Sequence, residues 1–301
     1  MSGLQRYVAF AQTARRGSFA RAARDLGTSP SALAKSVARL EATLGVKLFH
    51  RTTRQVSLTP DGERLYARCE RVLAEVEDLE AEAAGARAAP TGTLRVDMPL
   101  AYGRLVVMPV LPALARRHPG LRLDLRLQDG HADLVRDGLD VAIRIGELRD
   151  SSLVARRIDS QALLLVASPA YLEARAAPRR IADLARHDTI CFRLPSTGRA
   201  RPWQLRDRGR EIVFEREHRT LVNDGDGLLA AALLGLGVVQ IPDYLVAAPL
   251  ARGELVEVLA RHRPPVMPVH AVVPSARLMP PRVRLLLDAL LDLAPRAATA
   301  P

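Results

Sequence analysis

The chain has 301 residues, too many for one ordinary domain and suited to two or three, and 48 % of them are hydrophobic, enough for a sizeable core in each. A formal net charge of +11 fits a polyanionic partner, either nucleic acid or a membrane surface. Two distant cysteines, Cys69 and Cys191, exclude a disulfide framework and fit a reducing, cytoplasmic setting; MSGLQRYVAF is no signal peptide, and no stretch is long enough to span a bilayer.

The charge is segregated. Residues 1–58 hold ten Lys/Arg and two Asp/Glu, whereas residues 59–88 hold four and eight, so a basic head precedes an acidic stretch. In the head, Leu4, Tyr7, Val8, Ala11 and Ala14 line one face of a helix that Gly17 ends. Ser18 stands at the N-cap of a second helix carrying Phe19, Ala22, Ala23 and Leu26, which Gly27 closes. Ser29 caps a third, Pro30 occupies its first position, and Leu33, Val37, Leu40 and Leu44 form its apolar stripe up to Gly45. Two helices joined by a short glycine-containing turn make a helix-turn-helix.

The outer face of the third helix presents Ser31, Lys35 and Arg39, short or basic polar groups of the kind a helix needs to enter a major groove. After Gly45 the period changes. KLFHR and QVSLT read as strands flanking Thr52-Thr53-Arg54, a hairpin wing with Arg51 and Arg54 placed to touch phosphates. Thr59-Pro60-Asp61 then starts a long helix. Its apolar residues Leu65, Cys69, Val72, Val76, Leu79 and Ala83 advance by alternate steps of four and three, a heptad seam that asks for a second copy of the chain.

Residues 86–92 read as a hinge, and beyond it strands alternate with helices. TLRVD is a strand, a proline-interrupted helix runs from about Gly103 to His118, and LRLDLRL alternates strictly. ADLVRDG reads as a short helix and DVAIRIG as a strand. ALLLVAS, VVQIP and PVHAVVP are further strands, with PAYLEAR, GDGLLAAALLGLG and PRVRLLLDALLDL as helices. This pattern predicts a two-lobed α/β architecture with parallel sheets, whose ligands sit beyond the carboxyl ends of strands.

Gly17-Ser18-Phe19, Ala22-Ala23 with Leu26, Ser29 to Ser31, Leu40-Glu41 with Leu44-Gly45, Leu48-Phe49 with Arg51, and Leu58-Thr59 with Gly62 form an ordered set over about 45 residues. That set resembles the winged helix-turn-helix of LysR-type transcriptional regulators. Ala34 departs from it, standing where the family usually has serine before the basic residue. Farther on, Gly92-x-Leu94-Arg95-Val96, Asp140-Val141-Ala142-Ile143-Arg144, Ser168-Pro169-x-Tyr171-Leu172, Asn223-Asp224 and Gly235-x-Gly237-Val238 are similar to that family's effector domain, a fold like the periplasmic solute-binding proteins.

The resemblance implies a DNA-binding domain over 1–59, a linker and dimerisation helix over 60–87, and an effector domain over 88–301. Lobe I would comprise 92–160 and 266–295, and lobe II 161–265. It implies DNA contact through Ser18, Ser29, Pro30, Ser31, Ala32, Lys35, Arg39, Arg51 and Arg54. An effector would lie against Pro99, Leu100, Ala101, Tyr102, Gly103, Asp129, Ile145, Gly146, Phe192, Arg193, Asn223 and Asp224. Many relatives place Ser or Thr after the first strand, where this chain has Leu100-Ala101-Tyr102, so Arg104, Arg144 and Arg193 are the candidates for holding an anionic effector. The expected partners are duplex DNA bearing an interrupted inverted repeat, a small-molecule effector, a second copy in a dimer or dimer of dimers, and RNA polymerase, with no membrane.

The alternative is an α/β enzyme carrying a DNA-binding appendage. The sequence has no phosphate loop ending in Lys-Ser/Thr, no Gly-x-Ser-x-Gly and no His-Glu-x-x-His, its seven histidines are scattered, and neither a metal nor a cofactor is expected. A non-specific architectural DNA protein would have no use for the large C-terminal domain.

Overall fold

Serine caps and glycine stops cut the first 45 residues into helices in the computed structural model, which describes residues 3–51, 56–83, 90–130, 132–148, 153–274 and 279–293. The chain divides into two compact units, Met1–Ala88 and Ala89–Pro301.

In the first unit, α1 spans Gly3–Arg16, α2 Phe19–Asp25 and α3 Pro30–Leu44. The Ser18 hydroxyl accepts from Arg21 N at the start of α2, and the Ser29 hydroxyl accepts from Ala32 N at the start of α3. Gly45 ends α3 in the left-handed region at φ 71°, where any side chain would be strained. Strands β1 (Phe49–Arg51) and β2 (Val56–Leu58) pair antiparallel, with Arg51 opposite Val56. Helix α4 covers Pro60–Ala83. Thr59 joins wing to helix: its hydroxyl donates to Lys47 O and accepts from Gly62 N. A Cβ on Gly62 would lie 2.1 Å from Leu48 O, so the chain can approach the wing this closely only with glycine there. Phe10, Leu40 and Leu48 centre the core, and Phe49 packs its ring against Phe10 and Phe19 at 5.3 and 5.8 Å.

The second unit holds two five-stranded sheets. The first is ordered β4-β3-β5-β14-β6, from Leu121–Leu127, Gly92–Met98, Val141–Ile145, Met267–Val273 and Val154–Gln161. The second is β11-β8-β12-β7-β13, from Thr220–Val222, Thr189–Phe192, Val238–Pro242, Leu163–Ala167 and Val256–Glu257. Both are mixed, which corrects the expectation of parallel sheets. β3 runs parallel to β4 and β5, and β8 parallel to β11 and β12, but β14 opposes both its neighbours and β7 opposes β12. Only Ala162 separates β6 from β7. A chain that passes straight from one sheet into the other, with no crossover helix to bring it back, runs against the parallel strands. At the crossing, Gln161 ends β6 opposite Met267, which begins β14.

Residues 100–117 are continuously helical but change pitch: α5 (Leu100–Tyr102), a π turn (Gly103–Val107), a 3₁₀ turn (Met108–Val110) and α6 (Leu111–Arg117). Pro109 and Pro112 lack the N–H that a single α-helix would use. The expected helix over 132–138 is instead a run of turns: Asp133 caps its start and Asp137 N bonds Asp133 O, but Gly138 at φ 65° then stops the chain. The remaining helices are α7 (Pro169–Ala174), α8 (Gly225–Leu233), α9 (Asp243–Ala251) and α10 (Pro281–Leu291). A hairpin absent from the sequence reading joins β9 (Trp203–Asp207) to β10 (Arg210–Phe214), with Arg208 and Gly209 at φ 47° and 82° in its two-residue turn.

Candidate nucleic-acid interface and effector cleft

Helix α3 buries Leu33, Val37 and Leu40 and leaves Ser29, Pro30, Ser31, Ala32, Lys35 and Arg39 exposed. The Ser31 hydroxyl lies 3.2 Å from that of Ser29, so the cap and the outer face meet at the helix start, where backbone N–H groups point outward. Ser18 is half-buried. Arg51 sits in β1, while Arg54 and the rest of the turn at 52–55 lie outside the described residues.

The wing is held by a residue the periodicity did not single out. Glu41 is buried, and its carboxylate accepts from Leu48 N at 2.8 Å and Phe49 N at 3.4 Å, with Lys47 Nζ at 3.6 Å. Its signal in the sequence is an acid four residues after Val37, on the apolar side of the helix.

The heptad stripe of α4 is divided within the one chain. Leu65 and Cys69 pack into the head's own core against α1, so they belong to the fold of one chain. Burial, and after it the charge of Glu70, pushes the Cys69 thiol up to about 11. Val72 and Leu79 are exposed and Val76 half-buried; the side chain of Ala83 lies outside the described residues.

In the second unit a cleft of about 910 Å³ opens between the two sheets, within the size range of small-molecule sites. Pro99, Ala101, Asp129, Ile145 and Phe192 line it. The other seven expected residues do not. Leu100 donates its backbone N–H to the Asp129 carboxylate at 3.1 Å and so positions it. Tyr102 is buried, its hydroxyl donating to Asp159 at 2.9 Å. Gly103 is buried against Met98, and Gly146 turns the chain at φ 95° with its N–H on Pro268 O. Arg193 and Asn223 are exposed, and Asp224 caps α8 by accepting from Gly227 N at 2.8 Å. Sequence spacing placed these residues at strand ends, but alternation along the chain turns neighbours away from the cleft.

The arginines named in the sequence reading are already engaged or turned away. Arg104 pairs with Asp226. Arg144 lines the cleft but donates to the fully buried Asp97 at 2.7 Å, whose second oxygen accepts from Gln128. No sequence pattern marks Arg201. Its guanidinium lines the cleft, has no carboxylate partner among the described residues, and donates to Met267 Sδ at 3.4 Å. Burial holds it below the ordinary arginine range, only partly opposed by Tyr244 and Cys191. Gln161 is likewise unmarked. It lines the cleft at 2 % exposure, donates Nε2 to the same Met267 sulfur at 3.7 Å, and leaves Oε1 with no partner among the described residues. Asp129, also on the wall, is shifted upward by burial and by the charge of Asp224, against the Leu100 hydrogen bond that lowers it. Among the described residues no cluster of His, Cys, Asp or Glu suits a metal, and no helix is long and apolar enough to cross a membrane.

Residues 4–63 match the family described as bacterial regulatory helix-turn-helix protein, lysR family, and residues 87–295 match the LysR substrate binding domain. The regulator PtxR of Pseudomonas aeruginosa is 36 % identical over 290 residues, covering 95 % of this chain and 91 % of its own. CrgA of Neisseria meningitidis serogroup C is 34 % identical over 284 residues, 94 % of each chain. The solved structure of CrgA, a LysR-type transcriptional regulator from Neisseria meningitidis, superposes with a TM-score of 0.62 at 32 % identity, over 97 % of this chain and 99 % of that one. The exposed third helix with its wing, the two-lobed cleft and matches spanning both units lead to one assignment: the chain belongs to the LysR family of helix-turn-helix transcriptional regulators, a family of regulators and not of enzymes.

Proposed function

We propose that α3 reads an interrupted inverted repeat in duplex DNA, two heads of a dimer taking one half-site each, while an anionic effector in the cleft sets the regulator's state. The observation that carries the DNA reading is the exposed face of α3, where Ser31, Ala32 and Lys35 cluster at the capped helix start. In this reading Ser31, Ala32 and Lys35 contact base edges, and Arg51, Arg54 and nearby backbone contact phosphates. The partly exposed stripe of α4 from Val72 to Leu79 supports self-pairing, and a dimer of dimers that meets RNA polymerase in the cytoplasm completes the proposal. The unpaired guanidinium of Arg201 supports an anionic effector.

Footprinting on the regulator's own upstream region is the direct test. Lys35→Ala should cost about 1–3 kcal/mol at the preferred site and relax its sequence preference, whereas Arg54→Ala should weaken all sequences alike and flatten the salt dependence. Equal losses for both variants on every sequence would refute this division of roles.

A further inference from the structure

The polar groups at the crossing between the lobes are left in an unusual state. Arg201 and Gln161 line the cleft from different segments, yet both direct a donor at one atom, Met267 Sδ. A thioether sulfur is a weak acceptor, poorly matched to a guanidinium taken out of water. Because sulfur only accepts, the Gln161 amide turns its nitrogen to Met267, and the amide oxygen is left as a buried acceptor without a donor. A cation without an anion and an acceptor without a donor are costly in a finished core. Arg144, on the same wall, shows the contrast: its charge is met by Asp97.

The two unmet needs are complementary to one small molecule. Arg201 calls for a carboxylate, which a guanidinium can hold through paired hydrogen bonds. The Gln161 oxygen calls for a donor. Since both side chains reach the same sulfur, the two ligand groups must sit on neighbouring atoms, not at opposite ends of a chain. An ammonium donor would bring a second positive charge beside Arg201, whereas a hydroxyl donates without one. We propose that the effector is a 2-hydroxycarboxylate, its carboxylate on Arg201 and its hydroxyl donating to the Gln161 amide oxygen. The rest of the molecule points toward Phe192 and Trp203, which also line the cleft. This inference rests on the cleft being the effector site, and it adds the chemical class.

The test uses the full chain, with thermal shift and calorimetry on lactate against propionate, mandelate against phenylacetate, and the methyl esters of both hydroxy acids. A hydroxy acid should bind about tenfold more tightly than its partner lacking the hydroxyl, the value of one hydrogen bond to a buried acceptor, and the esters should not bind. Gln161→Leu should bring each pair to equal affinity while plain carboxylates still bind. Arg201→Gln should lose both acids of a pair, yet raise the melting temperature of the ligand-free protein, since it removes an unpaired buried charge. A lower melting temperature for Arg201→Gln would show that the cation is structurally matched, and would overturn the proposal. Equal binding of paired acids in the unaltered protein would overturn the hydroxyl assignment but leave the anionic reading intact. Binding of esters alone would remove both. If neither pair shifts the melting temperature, the proposal fails, and footprinting still judges the DNA reading separately.

Discussion

The head and the cleft handle polar groups in opposite ways. In the head the groups offered to a partner are in water and the buried carboxylate is engaged: Lys35 and Arg39 lie exposed while Glu41 accepts from two backbone N–H groups beneath the wing. In the cleft Gln161 is withdrawn from solvent with its amide oxygen unmet among the described residues, and the half-buried Arg201 has no carboxylate partner among them. A surface that binds a long polyanion gains by keeping its charges hydrated until contact. A pocket that selects one small molecule gains by leaving unmet needs that only the right ligand fills.

Substitutions can break that contrast or sharpen it. The largest effect is expected for Asp97→Ala, which strands Arg144 inside the second unit; a loss of about 3–5 kcal/mol should appear in denaturant unfolding of that unit and leave the head's transition in place. Gly62→Ala should do the reverse, forcing a Cβ into Leu48 O and costing the head about 1–3 kcal/mol, together with DNA binding, while ligand binding survives. Ser29→Ala removes the cap of α3 and should cost about 1 kcal/mol, read as a lower melting temperature of the head.

Asp129→Asn gives the smallest change. Burial raises this carboxyl in the folded protein, so ionisation is disfavoured there; the folded state gains at low pH and loses as pH rises through the raised value. The variant should therefore be more stable than the parent at neutral pH, with the difference disappearing as acid protonates Asp129. A gain independent of pH would show that burial of its charge is not the cause.

The head was almost fully legible because its signals are local. Ser18, Ser29 and Gly45 act within a turn of where they stand, and the structure places each as its residue type demands. The role of Glu41 escaped because its partners, Leu48 and Phe49, come from the wing and not from its own helix. The cleft was legible where the rule about strand ends applies, at Pro99, Ala101, Asp129, Ile145 and Phe192. Gln161 and Met267 sit on antiparallel strands that cross between the lobes, and Arg201 on the segment leading into an unforeseen hairpin; no periodicity marks such places.

Gln161 and Met267 face each other in the last register of the first sheet, one residue before the chain passes Ala162 into the second. Any swing of one lobe on the other must bend the peptide links beside those two residues. A molecule gripped there sits on the axle of the motion and not at its rim. A ligand that bound one set of backbone torsions at Ala162 better than another would shift the lobes by that difference in affinity alone.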